Sequence, residues 1–338
     1  MNIVTTAKRL CKKTLVNSNA LKYANEVYNK YIVILKYHSI KDNPELYDDS
    51  IDPGIITSTE DFKKHMEIVS GEFSSVTMDD ILLFIRHGKR TPKKAVAVTF
   101  DDGFDDNFEI AAPILDHFGI KATFYVTVGS IEATLPPWFI RVRHTIWTSP
   151  KKDWVAPPGD RILKIDNRNN RVAALRHASK QCANLVGDRQ EQAVRAIENA
   201  LGVKPFTPKR PFVMTWEKIK KLHEKGHIIG SHTLTHPNLA HVGREDLCFE
   251  LTESKRVLEK ELCAPVIHFS YPNPALTPQS TEQTTAAIEE TGYETAVIST
   301  HGPVCNSDNP LLLERISAPS KKEDFLWSLG CTLLGRRV

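Results

Sequence analysis

Short apolar runs alternate with segments of helical periodicity along most of this chain. The runs are rich in β-branched residues and too short for helices, which is typical of buried strands; they cover residues 31–35, 95–100, 122–128, 227–229, 266–271 and 295–299. Between them, apolar residues recur at helical spacing over residues 61–72, 79–87, 110–118, 216–225, 244–262 and 280–291. This alternation predicts an α/β fold in which crossover helices join the strands of a parallel sheet, either open or closed into a barrel.

The stretch 150–210 departs from this alternation. It is rich in charged residues and alanine and has few β-branched residues, so we expect it to be helical. We interpret it as a helical insertion in a barrel that covers residues 31–320. An N-terminal helical extension (residues 1–30) and a C-terminal amphipathic tail (residues 321–338) would flank the barrel.

Composition indicates an ordinary globular protein. The net charge of +3 is too small to indicate nucleic acid as a partner. The six cysteines form no CxxC pair, which favours a reducing compartment, although an even number also fits a periplasmic protein. No apolar stretch resembles a signal peptide or is long enough to span a bilayer. We therefore expect a cytoplasmic protein whose termini pack on the domain, with peripheral contact to a membrane as the alternative.

Polar side chains follow the ends of three predicted strands. His38 comes after the first strand, Asp101 and Asp102 after the second, and residues 231–236 after the strand at 227–229. In α/β folds the carboxyl ends of the strands carry functional residues, because the loops there vary without disturbing the core. We expect these three groups to meet in one site.

The adjacent carboxylates of Asp101 and Asp102 repel one another unless a cation or a hydrogen-bond donor compensates them. Gly103 permits a tight backbone course at this point. However, Asp-Asp-Gly is also ordinary turn or helix-cap chemistry. Taken alone, the segment leaves both interpretations open.

His232 and His236 stand four residues apart and can bind one metal ion, although Pro237 disfavours helical geometry there and such pairs are often incidental. With one carboxylate they make three ligands and leave a position open for water, as hydrolytic metals require. A bound metal lowers the pKa of its water towards ~7 and polarises a carbonyl group. A carboxylate that does not bind the metal can then act as base, and a histidine opposite can protonate the leaving amine. This chemistry predicts amide hydrolysis.

Two segments resemble the first and second motifs of the polysaccharide deacetylase family, also called the NodB homology domain or carbohydrate esterase family 4. They are Thr-Phe-Asp-Asp-Gly at residues 99–103 and Ser-His-Thr-Leu-Thr-His-Pro-Asn at residues 231–238. The resemblance continues at Tyr-His-Ser (residues 37–39), Thr-Trp (215–216), Phe-Ser-Tyr-Pro (269–272) and Leu-Glu-Arg-Ile (313–316). It is greatest to the poly-N-acetylglucosamine deacetylases, which have a leading Tyr-His motif. It implies a distorted (β/α) barrel of about seven units.

The resemblance also implies a role for each residue that matches a motif. Asp102, His232 and His236 would bind a divalent metal, with Zn²⁺ the first choice and Co²⁺, Ni²⁺ or Fe²⁺ suited to the same ligands. Asp101 would be the catalytic base and His38 the general acid. The backbone N–H of Tyr271 would stabilise the oxyanion.

The chain departs from the family pattern in its third motif, which reads Ser-Tyr-Pro-Asn-Pro instead of Arg-x-Pro. Pro274 also stands where a related version of the motif has glycine. We expect Arg315 to supply the missing guanidinium beside Asp101. The late Leu-x-His motif is absent, so His38 is assigned as the acid and His301 is kept in reserve.

We also predict that Trp138 and Pro272 bind substrate. Trp138 could stack on a sugar ring or, alternatively, pack as an anchor of the insertion. His65, His117 and His223 lie on predicted helices and are expected at the surface.

The sequence thus predicts a metal-dependent hydrolase that removes N-acetyl groups from a polysaccharide, oligosaccharide or glycolipid precursor containing N-acetylhexosamine. Its partner would be the acetylated amino-sugar substrate, with no nucleic acid. The alternatives are an O-acetyl esterase or non-sugar amidase that uses the same site, and a degenerate barrel that only binds carbohydrate.

Overall fold

The computed structural model describes residues 30–42, 51–88, 91–157, 159, 161–205, 211–273 and 275–338. The predicted N-terminal extension lies outside these ranges except for its last residue. Pro274 also lies outside them.

Strands and helices alternate along the described ranges. The strands are β1 (Val33–Tyr37), β2 (Ser39–Lys41), β3 (Ile56–Ser58), β4 (Ser74–Ser75), β5 (Ala95–Phe100), β6 (Thr123–Val126), β7 (Asp153–Ala156), β8 (Arg161–Lys164), β9 (Ile228–Ser231), β10 (His268–Ser270), β11 (Thr295–Ile298), β12 (Leu313–Glu314) and β13 (Ile316–Ser317). The α-helices are α1 (Thr59–Glu72), α2 (Met78–His87), α3 (Ala112–His117), α4 (Trp138–Thr148), α5 (Arg168–Ala183), α6 (Gly187–Leu201), α7 (Trp216–Glu224), α8 (Arg244–Leu262), α9 (Glu282–Glu290) and α10 (Lys322–Leu333). None of these helices combines the length and apolar character needed to cross a bilayer.

Eight of the described strands form a nearly closed parallel barrel in the order β12-β11-β10-β9-β6-β5-β1-β13, and β4 pairs with β5 outside this path. The barrel closes through one short segment of chain. β12 pairs with β11 and β13 pairs with β1, and only Arg315 lies between the two short strands. The prediction of a distorted (β/α) barrel is therefore confirmed.

Alternate residues of the barrel strands face two different cores, as the two-residue period of a strand requires. Leu35 and Val98 point outwards to the layer of helices, where they join a large apolar cluster. Ile34 and Ala97 belong to a separate cluster that includes Tyr125 and lines the barrel. Because Thr99 shares the inward phase of Ala97, polar side chains enter the barrel at the carboxyl end of β5.

The insertion contains more than the helices predicted for residues 150–210, and in this respect the prediction was wrong. β7 and β8 form an antiparallel hairpin that packs with α4, α5 and α6. Burial alternates along β7, with Trp154 and Ala156 inside and Asp153 and Val155 outside. Such alternation is typical of a strand, but over four residues it was too short to outweigh the helical composition around it.

His65 is buried, which contradicts its predicted place at the surface, whereas His117 and His223 are exposed as expected. The His65 imidazole stacks on Phe325 of α10 with ring centroids 3.9 Å apart. Its Nδ1 lies 3.0 Å from the hydroxyl of Tyr37. The side of α1 that carries His65 is therefore covered by the C-terminal helix, a contact between residues 260 positions apart that helical periodicity does not reveal.

Candidate active site

Asp102, His232 and His236 converge at the carboxyl end of the barrel, and all three are buried. Oδ1 of Asp102 lies 3.4 Å from Nε2 of His232 and 3.2 Å from Nε2 of His236. One carboxylate and two imidazoles within this reach suit Zn²⁺, and also other divalent transition metals.

The ring of His232 is oriented for metal binding by a backbone group. Its Nδ1 lies 2.7 Å from the carbonyl oxygen of Ser270, which can only accept a hydrogen bond. Nδ1 therefore carries the proton, and the lone pair of Nε2 points towards Asp102. The donor set thus fits a divalent metal in residue types, and His232 fits in tautomer as well.

The backbone turns sharply at two of the three candidate ligands. Asp102 has a φ of 70° and His236 a φ of 61°, a left-handed conformation that is uncommon outside glycine, although Asp and His adopt it more readily than most residues. Gly103 follows with a φ of 74°, as its predicted role in a tight turn requires. A Cβ at Gly103 would also lie 3.0 Å from the side chain of Val126, so this glycine is needed for packing as well.

Glu250 of α8 holds the loop between the two histidines. Its Oε2 accepts hydrogen bonds from the backbone N–H groups of Leu234 and Thr235, both at 2.8 Å. Its Oε1 accepts a bond of 2.5 Å from the Thr235 hydroxyl. A buried carboxylate from a helix therefore satisfies the N–H groups that the left-handed turns leave free.

Asp101 does not belong to this donor set and binds Arg315 instead. Nη1 and Nη2 of Arg315 donate to the two carboxylate oxygens at 2.7 and 2.6 Å, and the Ser270 hydroxyl donates to Oδ1 at 3.1 Å. Burial by itself raises the pKa of Asp101, but the positive charge of Arg315 outweighs it and holds that pKa well below its usual range. Asp101 is therefore ionised at neutral pH, and the guanidinium predicted for Arg315 lies where it was expected.

His38 approaches Asp101 from the end of β1. Its Nε2 lies 3.9 Å from Oδ2 of Asp101, and its side chain is 15% exposed. Burial lowers the pKa of His38 to about 4, although the carboxylates of Asp102 and Asp101 oppose this shift. The imidazole is therefore neutral near pH 7 in the free protein.

Comparison with known proteins agrees with this geometry. The family model described as polysaccharide deacetylase matches residues 88–296, which is more than half of the chain. The chain belongs to this family. Over 99 residues it is 31% identical to YxkH of Bacillus subtilis (strain 168), whose name assigns it provisionally to the polysaccharide deacetylases; the match covers 29% of this chain and about a third (32%) of that relative.

Several solved structures share the fold at low sequence identity. The deacetylase PplD of Streptococcus pyogenes, in complex with acetate, has a TM-score of 0.57 at 18% identity, and the match covers 88% of this chain and 96% of the PplD chain. IcaB from Ammonifex degensii has a TM-score of 0.56 at 15% identity, with 89% and 97% covered. A de-N-acetylase from Aggregatibacter actinomycetemcomitans has a TM-score of 0.54 at 13% identity, with 86% and 96% covered.

Tyr271 is not placed as the resemblance to the deacetylase family implied. Its backbone N–H donates to the carbonyl oxygen of Val297 at 3.1 Å and so continues the pairing of β10 with β11. An N–H engaged in the sheet is not available to an oxyanion, so this assignment was wrong for the structure described here. Val297 lies on another strand, so no local sequence motif could have predicted this hydrogen bond.

The two residues predicted to bind substrate are both buried. Trp138 is 7% exposed, packs in the core of the insertion and donates from Nε1 to the carbonyl oxygen of His236 at 3.3 Å. This placement matches the packing alternative for Trp138. Pro272 is buried beside Tyr271, and His301, the reserve acid, is exposed.

Sequence reasoning did not single out Lys36, whose Nζ donates to the Ser299 hydroxyl at 2.9 Å. Burial, followed by the charge of Arg315, lowers the pKa of Lys36 to about 8. Its position on an inward phase of β1, two residues before His38, is the one pattern that could have found it.

Proposed function

We propose that this chain is a metal-dependent hydrolase that removes N-acetyl groups from an N-acetylhexosamine-containing polysaccharide, oligosaccharide or glycolipid precursor. The observation that carries the proposal is a buried carboxylate and two imidazoles beside a second carboxylate that takes no part in the donor set. Membership of the polysaccharide deacetylase family supports carbohydrate deacetylation as the reaction. The choice of an N-acetyl substrate draws on the fold shared with the de-N-acetylase.

Asp102, His232 and His236 would hold the metal. Once bound, a divalent cation polarises the acetyl carbonyl and lowers the pKa of a water molecule towards ~7. The choice of Zn²⁺ rests on the ligand types, and Co²⁺, Ni²⁺ and Fe²⁺ suit the same residues.

Asp101 would accept the proton of the attacking water through Oδ2. Its Oδ1 already receives bonds from Arg315 and Ser270, whereas Oδ2 receives one bond from Arg315. A carboxylate oxygen has two lone pairs, so Oδ2 keeps one of them for a proton. This is also the oxygen nearest to His38.

His38 would deliver a proton to the departing amine. Because the imidazole is neutral at rest, we assign it the role of a relay between Oδ2 of Asp101 and the amine nitrogen. The water supplies both the hydroxide that attacks the carbonyl carbon and the proton that follows this path. The products are acetate and the free amino sugar.

The proposal is tested by measuring acetate and free amine released from a panel of N-acetylated oligosaccharides and lipid-linked sugars, together with O-acetylated sugars and non-sugar amides, with each of the four metals. Chelation, Asp101→Asn and His232→Ala should each abolish the reaction. If only O-acetylated sugars or non-sugar amides are cleaved, the corresponding alternative is correct. Binding of glycans without any hydrolysis would establish the non-catalytic alternative.

A cytoplasmic location, and contact with a membrane through the termini, are further predictions. At the C-terminus, Phe325, Leu329 and Leu333 of α10 are buried against the barrel layer. This packing supports a docked helix over one that rests on a bilayer. Fractionation of cells that express the tagged full chain would test the location.

A further inference from the structure

We propose that Asp106 and Asn107 are positioning residues that hold His38 in place over Asp101; the inference rests on the proposed function of His38. The side-chain Nδ2 of Asn107 donates to the carbonyl oxygen of His38 at 2.6 Å. Asp106 accepts from the Ser39 hydroxyl at 2.6 Å and from the backbone N–H of Ile40 at 3.0 Å. Three successive residues are thus bound by two adjacent side chains.

The need for such an anchor follows from the course of the chain. β1 ends at Tyr37 and β2 begins at Ser39, so His38 is the single residue between two strands that belong to different sheets. Sheet hydrogen bonds hold its neighbours, but the direction of the His38 side chain depends on the backbone conformation at this junction. A displacement of about 1 Å at a reacting group can cost about 10²-fold in rate.

One short segment of chain fixes both partners of the proton relay. The backbone N–H of Asp101 donates to the carbonyl oxygen of Tyr37 at 3.0 Å. Six residues later, Asn107 bonds to the next carbonyl oxygen, that of His38. Residues 101–107 therefore bind the backbone of Tyr37 and of His38, while Arg315 binds the Asp101 carboxylate.

The carboxylate of Asp106 reaches out of its own helical segment. Asp106 has a helical backbone, with φ −66° and ψ −15°, and its side chain makes no cap bond. It accepts hydrogen bonds from Ser39 and Ile40 instead. The junction that carries His38 therefore gains two hydrogen bonds.

Asn107 is completely buried, and only its amide nitrogen is paired. Nδ2 donates to the carbonyl oxygen of His38 and to Oδ1 of Asp106 at 3.1 Å, whereas Oδ1 has no hydrogen-bond partner among the described residues. A buried acceptor without a partner costs about 1–3 kcal/mol. The side chain is therefore better explained by the bonds that its amide nitrogen donates than by packing.

The test is a double-mutant cycle with Asn107→Leu and His38→Ala in the metal-loaded full chain. Asn107→Leu should lower kcat for deacetylation about 10- to 100-fold, while Zn²⁺ affinity changes less than about twofold. In the His38→Ala protein, Asn107→Leu should have no further effect, because Asn107 acts through His38. Additive losses in the double mutant would overturn the inference.

A second readout uses the leaving group. An amine must be protonated as it departs, whereas 4-nitrophenolate leaves without a proton, so Asn107→Leu and Asp106→Asn should slow amide cleavage much more than hydrolysis of 4-nitrophenyl acetate. Asp105→Asn is the matched control, since Asp105 lies in the same segment but pairs with Lys218 at 2.6 Å. Equal losses on both substrates would indicate a purely structural role. A wild-type protein that is inactive on every acetylated substrate would instead refute the proposed function.

Discussion

Arg315 holds a fully buried positive charge at the point where the barrel closes. The residues before it pair with β11, the residues after it pair with β1, and its guanidinium binds both oxygens of Asp101. Neither ion has much access to water, so each is tolerated only because the other is present. Closure of the barrel and ionisation of the predicted base therefore depend on one side chain.

Arg315→Met is expected to lower the free energy of unfolding by about 3–5 kcal/mol, because it leaves the Asp101 carboxylate buried without a partner. Arg315→Lys should lose less stability, since it keeps the charge but not the two-pronged geometry. Without the guanidinium the pKa of Asp101 rises, so the acid limb of the activity profile should move to higher pH in Arg315→Met. Urea unfolding and pH-dependent acetate release measure both effects, and an unshifted acid limb would contradict the assignment of Asp101 as base.

Asp106 should make stability depend on pH in the opposite direction from Asp101. Burial raises the pKa of Asp106 to about 6, so between pH 4 and 6 the folded protein retains a proton that the unfolded chain has released. Linkage then lowers the free energy of unfolding as the pH rises through this window, by about 2 kcal/mol between pH 4 and 7.

Asp106→Asn removes the titrating group, so the variant should gain about 2 kcal/mol relative to the wild type between pH 4 and pH 7. Denaturant unfolding at the two pH values measures the difference. A constant difference between Asp106→Asn and the wild type would show that Asp106 keeps an ordinary pKa.

At the scale of elements, the second histidine motif depends on a helix that lies outside it. Left-handed turns at Thr233 and His236 leave backbone N–H groups pointing out of the loop. Glu250 of α8 accepts two of them, and the Thr233 hydroxyl accepts the N–H of His236 at 2.9 Å. The packing of α8 therefore helps to fix the loop that carries both imidazoles.

Glu250→Leu should weaken Zn²⁺ binding about 10- to 100-fold, as is typical when the support of a metal ligand is lost. Glu250→Gln should fall between this variant and the wild type, because an amide oxygen can still accept the two N–H bonds. Glu253→Leu changes a half-buried residue on the same helix, which pairs with Arg256, and should leave affinity unchanged. Competition titration with a chromogenic chelator gives the affinities, and equal affinity in all variants would rule out this role for Glu250.

The sequence was most informative where structure depends on local pattern. The strand Ala95–Phe100 and the helix Arg244–Leu262 were predicted with the bounds that the structure shows. The strand is an almost uninterrupted apolar run, and the helical spacing of apolar residues is clear over the length of the helix. The convergence of Asp102 with His232 followed from their positions at strand ends. The burial of His65 and the engaged N–H of Tyr271 could not be predicted, because both depend on which distant segments become neighbours.

At the scale of the whole molecule, side chains fill the interior of the barrel as far as the candidate active site. Tyr125 is completely buried, and its ring lies 5.7 Å from the guanidinium carbon of Arg315. Gly230 of β9 pairs with Tyr125 across the sheet. A Cβ at Gly230 would lie 2.5 Å from the Tyr125 ring and 2.9 Å from the carbonyl oxygen of His268, so there is no room for it.

Gly230→Ala should therefore lower the free energy of unfolding by about 1–3 kcal/mol, because the added methyl must displace a ring or a strand. Displacement of Tyr125 would also move Arg315 and with it Asp101, so acetate release should fall together with stability. Gly71→Ala is the matched control: Gly71 lies in α1 with open space around its Cα, and alanine should add about 0.5–1 kcal/mol there without changing activity. If Gly230→Ala unfolded like the wild type and kept full activity, the interior of the barrel would not be packed as tightly around Tyr125 as described.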